Sequence, residues 1–477
     1  MELSKIKHIY FLGIGGIGMS ALARYFLLTG KQVAGYDKTV TMLTTELKKE
    51  GMQIHFEDDI SQIPPAFKSI NEKSSVLIVY TPAIPKEHRE YLFFKEAGFT
   101  IKKRSEVLGM IANDSFTVAI AGTHGKTTTS SLTAHIFKTA QLDPAAFLGG
   151  ITQNYNTNLI LSENLHHQKE KTKKPLLVVE ADEYDRSFLT LFPEIAVITS
   201  VDADHLDIYG DEKQVLESYS LFAKQIKKLL IIKNTIASKI HVEIEKITYS
   251  VIDASATYFA QNVRVSNGAY HYDIVTPKAI FKDVTLGLPG LHNVENSIAA
   301  VAVAVEMGIS EDFIRNALAS FRGVRRRFDY HIKTDALVFI DDYAHHPAEL
   351  KAAISSAKEM YPHKKITGIF QPHLYSRTRD FADDFAESLD LLDECILLDI
   401  YPARELPIPG VDAKFLLDKM KSPGKSMCSK NDLVAELSKR EIELLITMGA
   451  GDIDTLIKPI TEALMKRVKD TTASKPK

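Results

Sequence analysis

The stretch Ala121-Gly122-Thr123-His124-Gly125-Lys126-Thr127-Thr128 decides the fold of the middle of this chain. It follows an apolar run, Phe116 to Ala121, that is typical of a strand, and it precedes a helical pattern. A strand, a glycine-rich turn, a Lys-Thr pair and a helix make a phosphate-binding loop, in which backbone N–H groups surround a polyphosphate. We expect Lys126 to reach the terminal phosphates and the Thr127 hydroxyl to ligate Mg²⁺.

The loop is shorter than the general motif, because Ile120 stands where that motif has its first glycine. The alternative interpretation is an ordinary glycine-containing turn between a strand and a helix. The Lys-Thr pair and the flanking elements favour the phosphate-binding loop.

Composition limits the class of protein. A chain of 477 residues predicts two to four domains, and a net charge of -3 gives no electrostatic support for a nucleic-acid partner. Its two cysteines, Cys395 and Cys428, lie far apart, which argues against a disulfide framework and fits a reducing compartment. The first residues do not resemble a signal peptide, and no apolar run could span a membrane. We therefore expect a cytoplasmic protein without membrane insertion.

A second glycine-rich turn lies near the N-terminus. Gly13-Ile-Gly15-Gly16-Ile-Gly18 follows an apolar strand pattern, and a later strand pattern ends on Asp37. This β-α-β unit predicts close approach of the backbone to a diphosphate, with Asp37 near a ribose hydroxyl. NAD, FAD or a UDP-sugar would each suit it, and a structural turn is the alternative. Thr81, after a further strand, either lines the same crevice or belongs to a proline-rich loop.

Carboxylates follow two strands of the middle region. Glu180 ends an apolar strand, Leu176–Glu180, where a Mg²⁺ beside a phosphate loop needs an oxygen ligand. We expect Asp182, Glu183 and Asp185 to lie in a solvent-exposed acidic loop. The segment 202–207, which contains Asp204, His205 and Asp207, is either a second metal site or a hydrogen-bonded loop.

The last third of the chain repeats short buried strands with helices between them. Polar residues follow the strands, and in a doubly wound sheet such residues converge on one crevice. They include Tyr343, His345, His373 and Arg377. A metal site at Asp341, Asp342, His345 and His346 is not favoured, because no His-x-His spacing accompanies them. His292 and Asn293 open an apolar helix, and their pattern favours a helix cap with a buried amide.

Nine motifs together resemble the Mur ligase family, the ATP-dependent amide-bond-forming enzymes of peptidoglycan synthesis. They span nearly the whole chain, in the order that the family has. They are Gly13 to Ser20, Gly122 to Thr128, Glu180 to Glu183, Asp204 to Asp207, His292 to Asn296, Gly323 to Phe328, Asp342 to Pro347, Gln371 to Arg377, and Gly449 to Ile453.

The resemblance implies an α/β fold with three domains. These are a UDP-sugar-binding Rossmann-like domain (1–108), a P-loop ATPase domain with a parallel sheet (109–325), and a Rossmann-like domain that binds an amino acid and part of ATP (326–470). The resemblance also implies ATP and Mg²⁺ as cofactors, and a monomer or weak homodimer.

The resemblance assigns site residues as well. It implies UDP-sugar binding by Gly13, Gly15, Gly16, Gly18, Met19, Ser20, Asp37 and Thr81. It implies ATP binding by Gly122, Thr123, His124, Gly125, Lys126, Thr127, Thr128, His292, Asn293, Asn296, Arg327 and Tyr343. It implies metal binding by Thr127, Glu180 and His205, amino-acid binding by His345, His373 and Arg377, and catalytic roles for Lys126, His205, His345 and Arg377.

Within the family, the N-terminal glycine motif and His124 resemble the branch that adds L-alanine to UDP-N-acetylmuramate. The alternative is the branch that attaches a preformed peptide to the same acceptor. Two local departures from the family pattern are Ser200, where Asn is usual, and Arg404 within Pro402 to Glu405. We assign no role to Arg404. An NAD-dependent oxidoreductase would leave the Lys126 loop unexplained, and a nucleotide-binding regulator would leave the polar residues of the last third unexplained.

Overall fold

The computed structural model describes residues 3–162, 174–202, 209, 211–266, 269–403 and 405–473. Contacts divide it into two compact units. The first unit comprises residues 1–263, 271–286 and 294–322, and the second comprises 264–270, 287–293 and 323–477. No helix among the described residues is long and apolar enough to cross a membrane.

The first sheet has five strands, and its buried strands carry alternating apolar side chains to both faces. The strands are β1 (His8–Leu12), β2 (Gln32–Tyr36), β3 (Gln53–His55), β4 (Val76–Tyr80) and β5 (Thr100–Lys103). They are all parallel, in the order β3-β2-β1-β4-β5. Helices Ile17–Leu28, Met42–Lys49, Arg89–Glu96 and Arg104–Asn113 connect or follow them. The carboxyl ends of β1 and β2, where the glycine turn and Asp37 lie, therefore share one edge of the sheet.

The middle sheet has ten strands. They are β6 (Phe116–Ala121), β7 (Ala145–Thr152), β8 (Thr157–Ile160), β9 (Leu176–Glu180), β10 (Ile195–Ile198), β11 (Leu229–Lys233), β12 (Glu245–Ser250), β13 (Tyr258–Ser266), β14 (Ala269–Val275) and β15 (Ile280–Leu286). Their order is β15-β14-β13-β12-β11-β10-β6-β9-β7-β8. The helices of this region are Lys126–Thr139, Glu212–Lys224, Leu291–Glu306 and Glu311–Ser320.

The phosphate-loop strand lies in the parallel part of this sheet. Strand β6 pairs in parallel with β10 on one side and with β9 on the other. The residues after β6, β9 and β10 therefore lie at one edge, as the sequence predicts. Tyr249 to Asp283 supplies the end of β12, all of β13 and β14 and part of β15, and these strands extend the middle sheet.

The third sheet belongs to the second unit. Its strands are β16 (Asp329–Lys333), β17 (Val338–Asp342), β18 (Ile366–Phe370), β19 (Glu394–Leu397), β20 (Lys425–Met427) and β21 (Leu444–Met448), in the order β16-β17-β21-β18-β19-β20. All pairs are parallel except β16 with β17. The helices are Pro347–Met360, Tyr375–Asp380, Ala382–Leu389, Ala413–Lys419, Leu433–Ser438 and Ile457–Ala473.

The three sheets confirm the α/β class and the parallel cores. The strands of each sheet come from one of the three predicted domain ranges, although contacts join the first two sheets in one unit. The boundaries themselves stay predictions. Short 3₁₀ turns occur at Leu3–Lys5, Ile60–Gln62, Pro65–Phe67, Ile70–Ser75, Tyr184–Thr190, Asn234–Ile236 and Asp452–Leu456.

A buried polar cluster lies on the face of the first sheet opposite helix Ile17–Leu28. The Tyr10 hydroxyl donates to Glu90 at 2.6 Å and lies 2.7 Å from Nε2 of His55. His88 lies 3.2 Å from Asp58. Burial raises the pKa of Glu90 to about 7, although the Tyr10 hydrogen bond opposes this shift. Glu90 therefore carries a proton in the folded protein at a pH where an exposed glutamate does not.

Replacement of Glu90 by glutamine should make a pH-dependent difference to stability. The raised pKa contributes stability below about pH 4.5, and this stability is lost as the pH rises to about 7, because the carboxyl must then ionise while buried. Glutamine has no charge to bury. The free energy of unfolding of Glu90→Gln, relative to that of wild type, should therefore rise from pH 5 to pH 8 by up to about 3 kcal/mol.

Hydrogen exchange of peptides that cover β1 and β4, measured at both pH values, reports the stability of this sheet. Glu96→Gln is the control, because Glu96 is an exposed residue of the same helix as Glu90. An equal effect of Glu90→Gln at pH 5 and pH 8 would show that Glu90 does not titrate in this range.

Candidate active site

The phosphate loop connects β6 to helix Lys126–Thr139. Gly125 has φ of +82°, a conformation that glycine adopts without strain. A Cβ atom at this position would lie 2.5 Å from Oδ1 of Asn296, so Asn296 packs directly against the loop. The structure thus brings Asn296 to the Lys126 loop, although they are 170 positions apart in sequence.

Lys126 points back into its own loop. Its Nζ donates to the carbonyl oxygens of Gly122 at 2.6 Å and Thr123 at 3.2 Å, and to Glu183 at 2.8 and 3.0 Å. Burial opposes the charge on Lys126, but Glu183 and the nearby carboxylates Glu180 and Asp182 outweigh it, and the net effect raises the pKa of Lys126. The ammonium group is therefore held charged at the place where a polyphosphate is expected.

Glu183 corrects one expectation from the sequence. We expected it in an exposed acidic loop, but its side chain is only 5% exposed. Burial raises its pKa, and the contact with Lys126 opposes that shift. The Tyr209 hydroxyl also donates to its backbone carbonyl at 2.5 Å. No sequence signal separates Glu183 from its acidic neighbours, since only the fold places it beside Lys126.

Thr127 and Glu180 lie together, as the sequence predicts for Mg²⁺ ligands. The Thr127 hydroxyl donates to Oε1 of Glu180 at 3.1 Å, and the N–H of Gly149 donates to Oε2 at 2.9 Å. A hydroxyl and a carboxylate oxygen are donors that suit a hard cation, so these residues fit the predicted metal. His205, the other predicted ligand and catalytic residue, lies outside the described residues, as do Asp204 and Asp207.

The residues after β10 hold the phosphate loop from its other side. The N–H of His124 donates to the Ser200 hydroxyl at 2.9 Å, and the Thr199 hydroxyl donates to the His124 carbonyl at 2.5 Å. The Thr123 hydroxyl donates to the carbonyl of Asp202 at 3.0 Å. Ser200, one of the two departures from the family pattern, therefore still contacts the loop through its short side chain. Thr128 is half-buried in the first turn of the helix that follows.

The glycine turn of the first sheet is braced by two of its predicted partners. The N–H of Gly15 donates to Asp37 at 2.7 Å. A Cβ at Gly13 would lie 2.7 Å from the methyl group of Thr81, which places Thr81 against the turn. Gly16 is exposed, whereas Met19 and Ser20 are buried. The Ser20 hydroxyl donates to the carbonyl of Ile17 and accepts from Asn158.

Arg104 lies against this turn, and the sequence did not predict it as a site residue. A Cβ at Gly18 would lie 2.7 Å from its Nη1, and Nη2 donates to Asp182 at 2.9 Å. The preceding Lys103 pairs with Asp185 at 2.8 Å. Two adjacent basic residues, Lys103 and Arg104, were the only signal that the sequence offered.

In the second unit, the predicted residues after β17 gather around one tyrosine. The guanidinium groups of Arg326 and Arg327 lie 5.1 and 5.3 Å from the ring centroid of Tyr343. The Tyr343–His345 ring distance is 5.2 Å. Nδ1 of His345 lies 2.9 Å from the carbonyl oxygen of Tyr343 and 3.2 Å from Glu349. Burial lowers the pKa of His345, and Glu349 opposes that shift.

His373 lies next to this group. Its ring is 6.0 Å from that of His345 and stacks at 5.8 Å on that of Tyr401. Arg377 lies on the helix that follows, Tyr375–Asp380, whose first turn is held by Glu405 through the N–H and the hydroxyl of Ser376. Arg404, the other departure, lies outside the described residues.

The two carboxylates at the end of β17 already have partners. Asp342 accepts from the N–H groups of Phe328 at 2.7 Å and Ala344 at 2.8 Å, and Asp341 pairs with Arg326. Among the described residues, no group of three or more His, Cys, Asp and Glu side chains could hold a metal ion.

His292 and Asn293 lie at the start of helix Leu291–Glu306, as predicted. His292 is exposed, and the amide of Asn293 is buried and donates to the carbonyl of Pro289 at 2.6 Å. The contact of Asn293 fits the cap-like interpretation of this motif.

Three family models match the chain in succession. They are the Mur ligase family catalytic domain over residues 8–116, the Mur ligase middle domain over 120–304, and the Mur ligase glutamate ligase domain over 326–453.

Individual proteins match over nearly the full length. UDP-N-acetylmuramate–L-alanine ligases of Parabacteroides distasonis and Flavobacterium johnsoniae are each 49% identical to the chain, over 98% of it and 100% of their own length. The solved UDP-N-acetylmuramate–alanine ligase of Thermotoga maritima is 27% identical with a TM-score of 0.79, and the match covers 96% of this chain and 99% of that one. A murein peptide ligase of Psychrobacter arcticus shares the fold, with a TM-score of 0.70 at 22% identity over 96% and 98%.

Loss of the Glu183 carboxylate should destabilise the middle sheet and be partly compensated by ligand. Glu183→Gln leaves the buried ammonium of Lys126 without its main counter-charge, which should cost roughly 3 kcal/mol of unfolding free energy. A bound triphosphate supplies the missing negative charge. The loss in thermal midpoint should therefore be smaller when ATP and Mg²⁺ are present.

The measurement is differential scanning calorimetry with and without ATP and Mg²⁺. Glu217→Gln serves as the control, because that side chain is 62% exposed. A Glu183→Gln variant as stable as the control, or one that ATP does not help, would contradict a charge-balancing role.

Proposed function

The chain belongs to the Mur ligase family, and we propose that it joins L-alanine to the lactyl carboxylate of UDP-N-acetylmuramate, with conversion of ATP to ADP and phosphate. The observation that carries this proposal is the similarity, over nearly the full length, to UDP-N-acetylmuramate–L-alanine ligases. A phosphate loop in which Lys126 donates to the Gly122 carbonyl and Thr127 donates to Glu180 supports it. The enzyme is an ATP-dependent carboxylate–amine ligase of peptidoglycan precursor synthesis.

The reaction must overcome repulsion between two anions. The lactyl carboxylate attacks the γ-phosphate of ATP, ADP leaves, and an acyl phosphate forms. The free amine of L-alanine then attacks the acyl carbon, the tetrahedral intermediate collapses, and phosphate leaves with the amide bond formed. A site that brings carboxylate and phosphate together therefore needs preorganised positive charge.

Lys126 supplies this charge in the first unit. Its Nζ is fixed by the Gly122 and Thr123 carbonyls, so its ammonium group is oriented before ATP arrives. Thr127 and Glu180 would hold Mg²⁺, which neutralises phosphate charge when it is bound. We propose that the other predicted loop residues also bind ATP, as does Asn296, which packs on the loop.

The first glycine turn would bind the diphosphate of the UDP-sugar. Backbone N–H groups at the start of helix Ile17–Leu28 are suited to an anion. Asp37 already accepts the Gly15 N–H, which shapes the turn. The proposed reaction has no role for nicotinamide, so we assign this turn to the UDP-sugar and not to the NAD of an oxidoreductase.

The third sheet would bind L-alanine and the ATP base. We assign the amino acid to His345, His373 and Arg377, which follow β17 and β18, the strands on either side of β21. Arg327, Tyr343, His292 and Asn293 would contact the nucleotide. The lowered pKa of His345 keeps its ring neutral near pH 7, so that it can accept the proton that the alanine nitrogen loses after it has attacked the acyl carbon.

A peptide-attaching ligase is the alternative, and one such enzyme shares this fold. It would use the same acyl phosphate and differ only in the amine that attacks it. We further propose a cytoplasmic monomer or weak homodimer that acts on small molecules and not on nucleic acid.

Phosphate release from ATP tests the proposed function. Release should require both UDP-N-acetylmuramate and L-alanine, and mass spectrometry should find alanine joined to the sugar nucleotide. Glycine, L-serine and a tripeptide are the comparison amines. Turnover with the tripeptide alone would favour the peptide-attaching reaction, and no turnover with any amine would refute a ligase.

Lys126→Ala should abolish turnover and leave UDP-sugar binding largely intact. The reason is that the lost ammonium group acts on phosphate, whereas the diphosphate binds at a different loop. Lys213→Ala, at a side chain that is 82% exposed, controls for the general loss of a lysine. Steady-state kinetics and calorimetric titration with UDP-N-acetylmuramate make the comparison, and near-normal turnover of Lys126→Ala would refute the phosphate-loop assignment.

A further inference from the structure

The glycine turn of the first sheet has a charge deficit. Residues 13–20 contain no lysine or arginine, and the carboxylate of Asp37 is bonded directly to the turn. A diphosphate carries about two negative charges, whereas a helix N-terminus supplies only about half a positive charge. A cation from elsewhere in the chain would therefore strengthen the binding of a diphosphate at this turn.

Arg104 is placed to supply that cation. Its guanidinium approaches the first turn of helix Ile17–Leu28 so closely that a methyl group on Gly18 would lie 2.7 Å from Nη1 and 3.3 Å from Cζ. Only Nη2 has a hydrogen bond, to Asp182, among the residues that the structure describes. Nη1 and Nε thus keep donors available beside the backbone N–H groups of the turn.

The position of Arg104 is fixed by several contacts. It is the first residue of helix Arg104–Asn113, and the Glu106 carboxylate caps this helix by accepting from the N–H of Lys103 at 2.7 Å. The Thr190 hydroxyl donates to the carbonyl of Ser105 at 2.9 Å, which attaches the helix to the segment after β9. Asp182 holds the guanidinium itself. Such a side chain loses little conformational freedom when it binds an anion.

Building on the proposed function, we propose that Arg104 binds the diphosphate of the sugar nucleotide and that Asp182 is its positioning residue. The planar guanidinium suits two phosphate oxygens at once, which a lysine cannot match. The single bond to Asp182 uses Nη2 and leaves the Nη1 and Nε donors for the ligand. The contact is made before any chemistry, so its loss should appear in binding.

The test is calorimetric titration of wild type, Arg104→Gln and Arg104→Lys with UDP-N-acetylmuramate, UDP-N-acetylglucosamine and UDP, without ATP. Arg104→Gln should bind all three roughly 10- to 100-fold more weakly, the effect of one lost charge-assisted contact with phosphate. Arg104→Lys should recover part of the affinity. Lys103→Gln is the matched control, because it removes the same charge one position earlier from a side chain that pairs with Asp185.

ATP binding by each variant, measured in the same way, reports that the middle sheet is intact. A loss confined to UDP-N-acetylmuramate would mean that Arg104 contacts the lactyl carboxylate, and it would overturn the diphosphate assignment. Equal losses in Arg104→Gln and Lys103→Gln, or no loss in either, would overturn it too. If wild type binds no UDP-sugar, the proposed function and this proposal both fail. If wild type binds the UDP-sugars and Arg104→Gln binds them equally well, the proposed function stands and the role of Arg104 does not.

Discussion

The buried ion pair of Lys126 and Glu183 is the interaction on which the rest of the candidate active site depends. An ammonium group can remain charged inside a protein only beside an opposite charge. Glu183 provides that charge, and the loop carbonyls complete the hydrogen bonds of Lys126. The strands around β6 bring these groups to one edge of the sheet, so the parallel order of β9, β6 and β10 is a requirement of the charge arrangement.

At the two other sheets, too, polar groups collect beyond the strand ends, and there the carboxylates bind backbone N–H groups. At the first sheet, Asp37 binds backbone N–H groups and shapes the turn. At the third, Asp342 does the same for the segment around Phe328 and Ala344. In each case a carboxylate fixes backbone, which leaves the neighbouring cationic and imidazole groups to face a ligand.

The sequence predicts those parts of the molecule that depend on local chemistry. Both glycine turns and the start of helix Leu291–Glu306 follow from residue types at short spacing, and Glu180 follows from its place at the end of an apolar strand. Glu183 and Arg104 could not be predicted in this way, because their partners are 57 and 78 positions away and the contact is created by packing. The place of β13 and β14 in the middle sheet could not be predicted either, because alternation of apolar and polar residues indicates a strand but not the sheet that it joins.

The acidic segment after β9 has a further consequence. Asp182 holds Arg104 at one turn, and the adjacent Glu183 holds Lys126 at the other. An anion that binds Arg104 or Lys126 therefore acts on a backbone segment that contacts both. If one ligand changes the affinity for the second by some factor, the second ligand must change the affinity for the first by the same factor, because coupling free energy is reciprocal. Order of substrate addition in this enzyme would accordingly be a matter of rates, with the thermodynamic cooperativity the same from either direction.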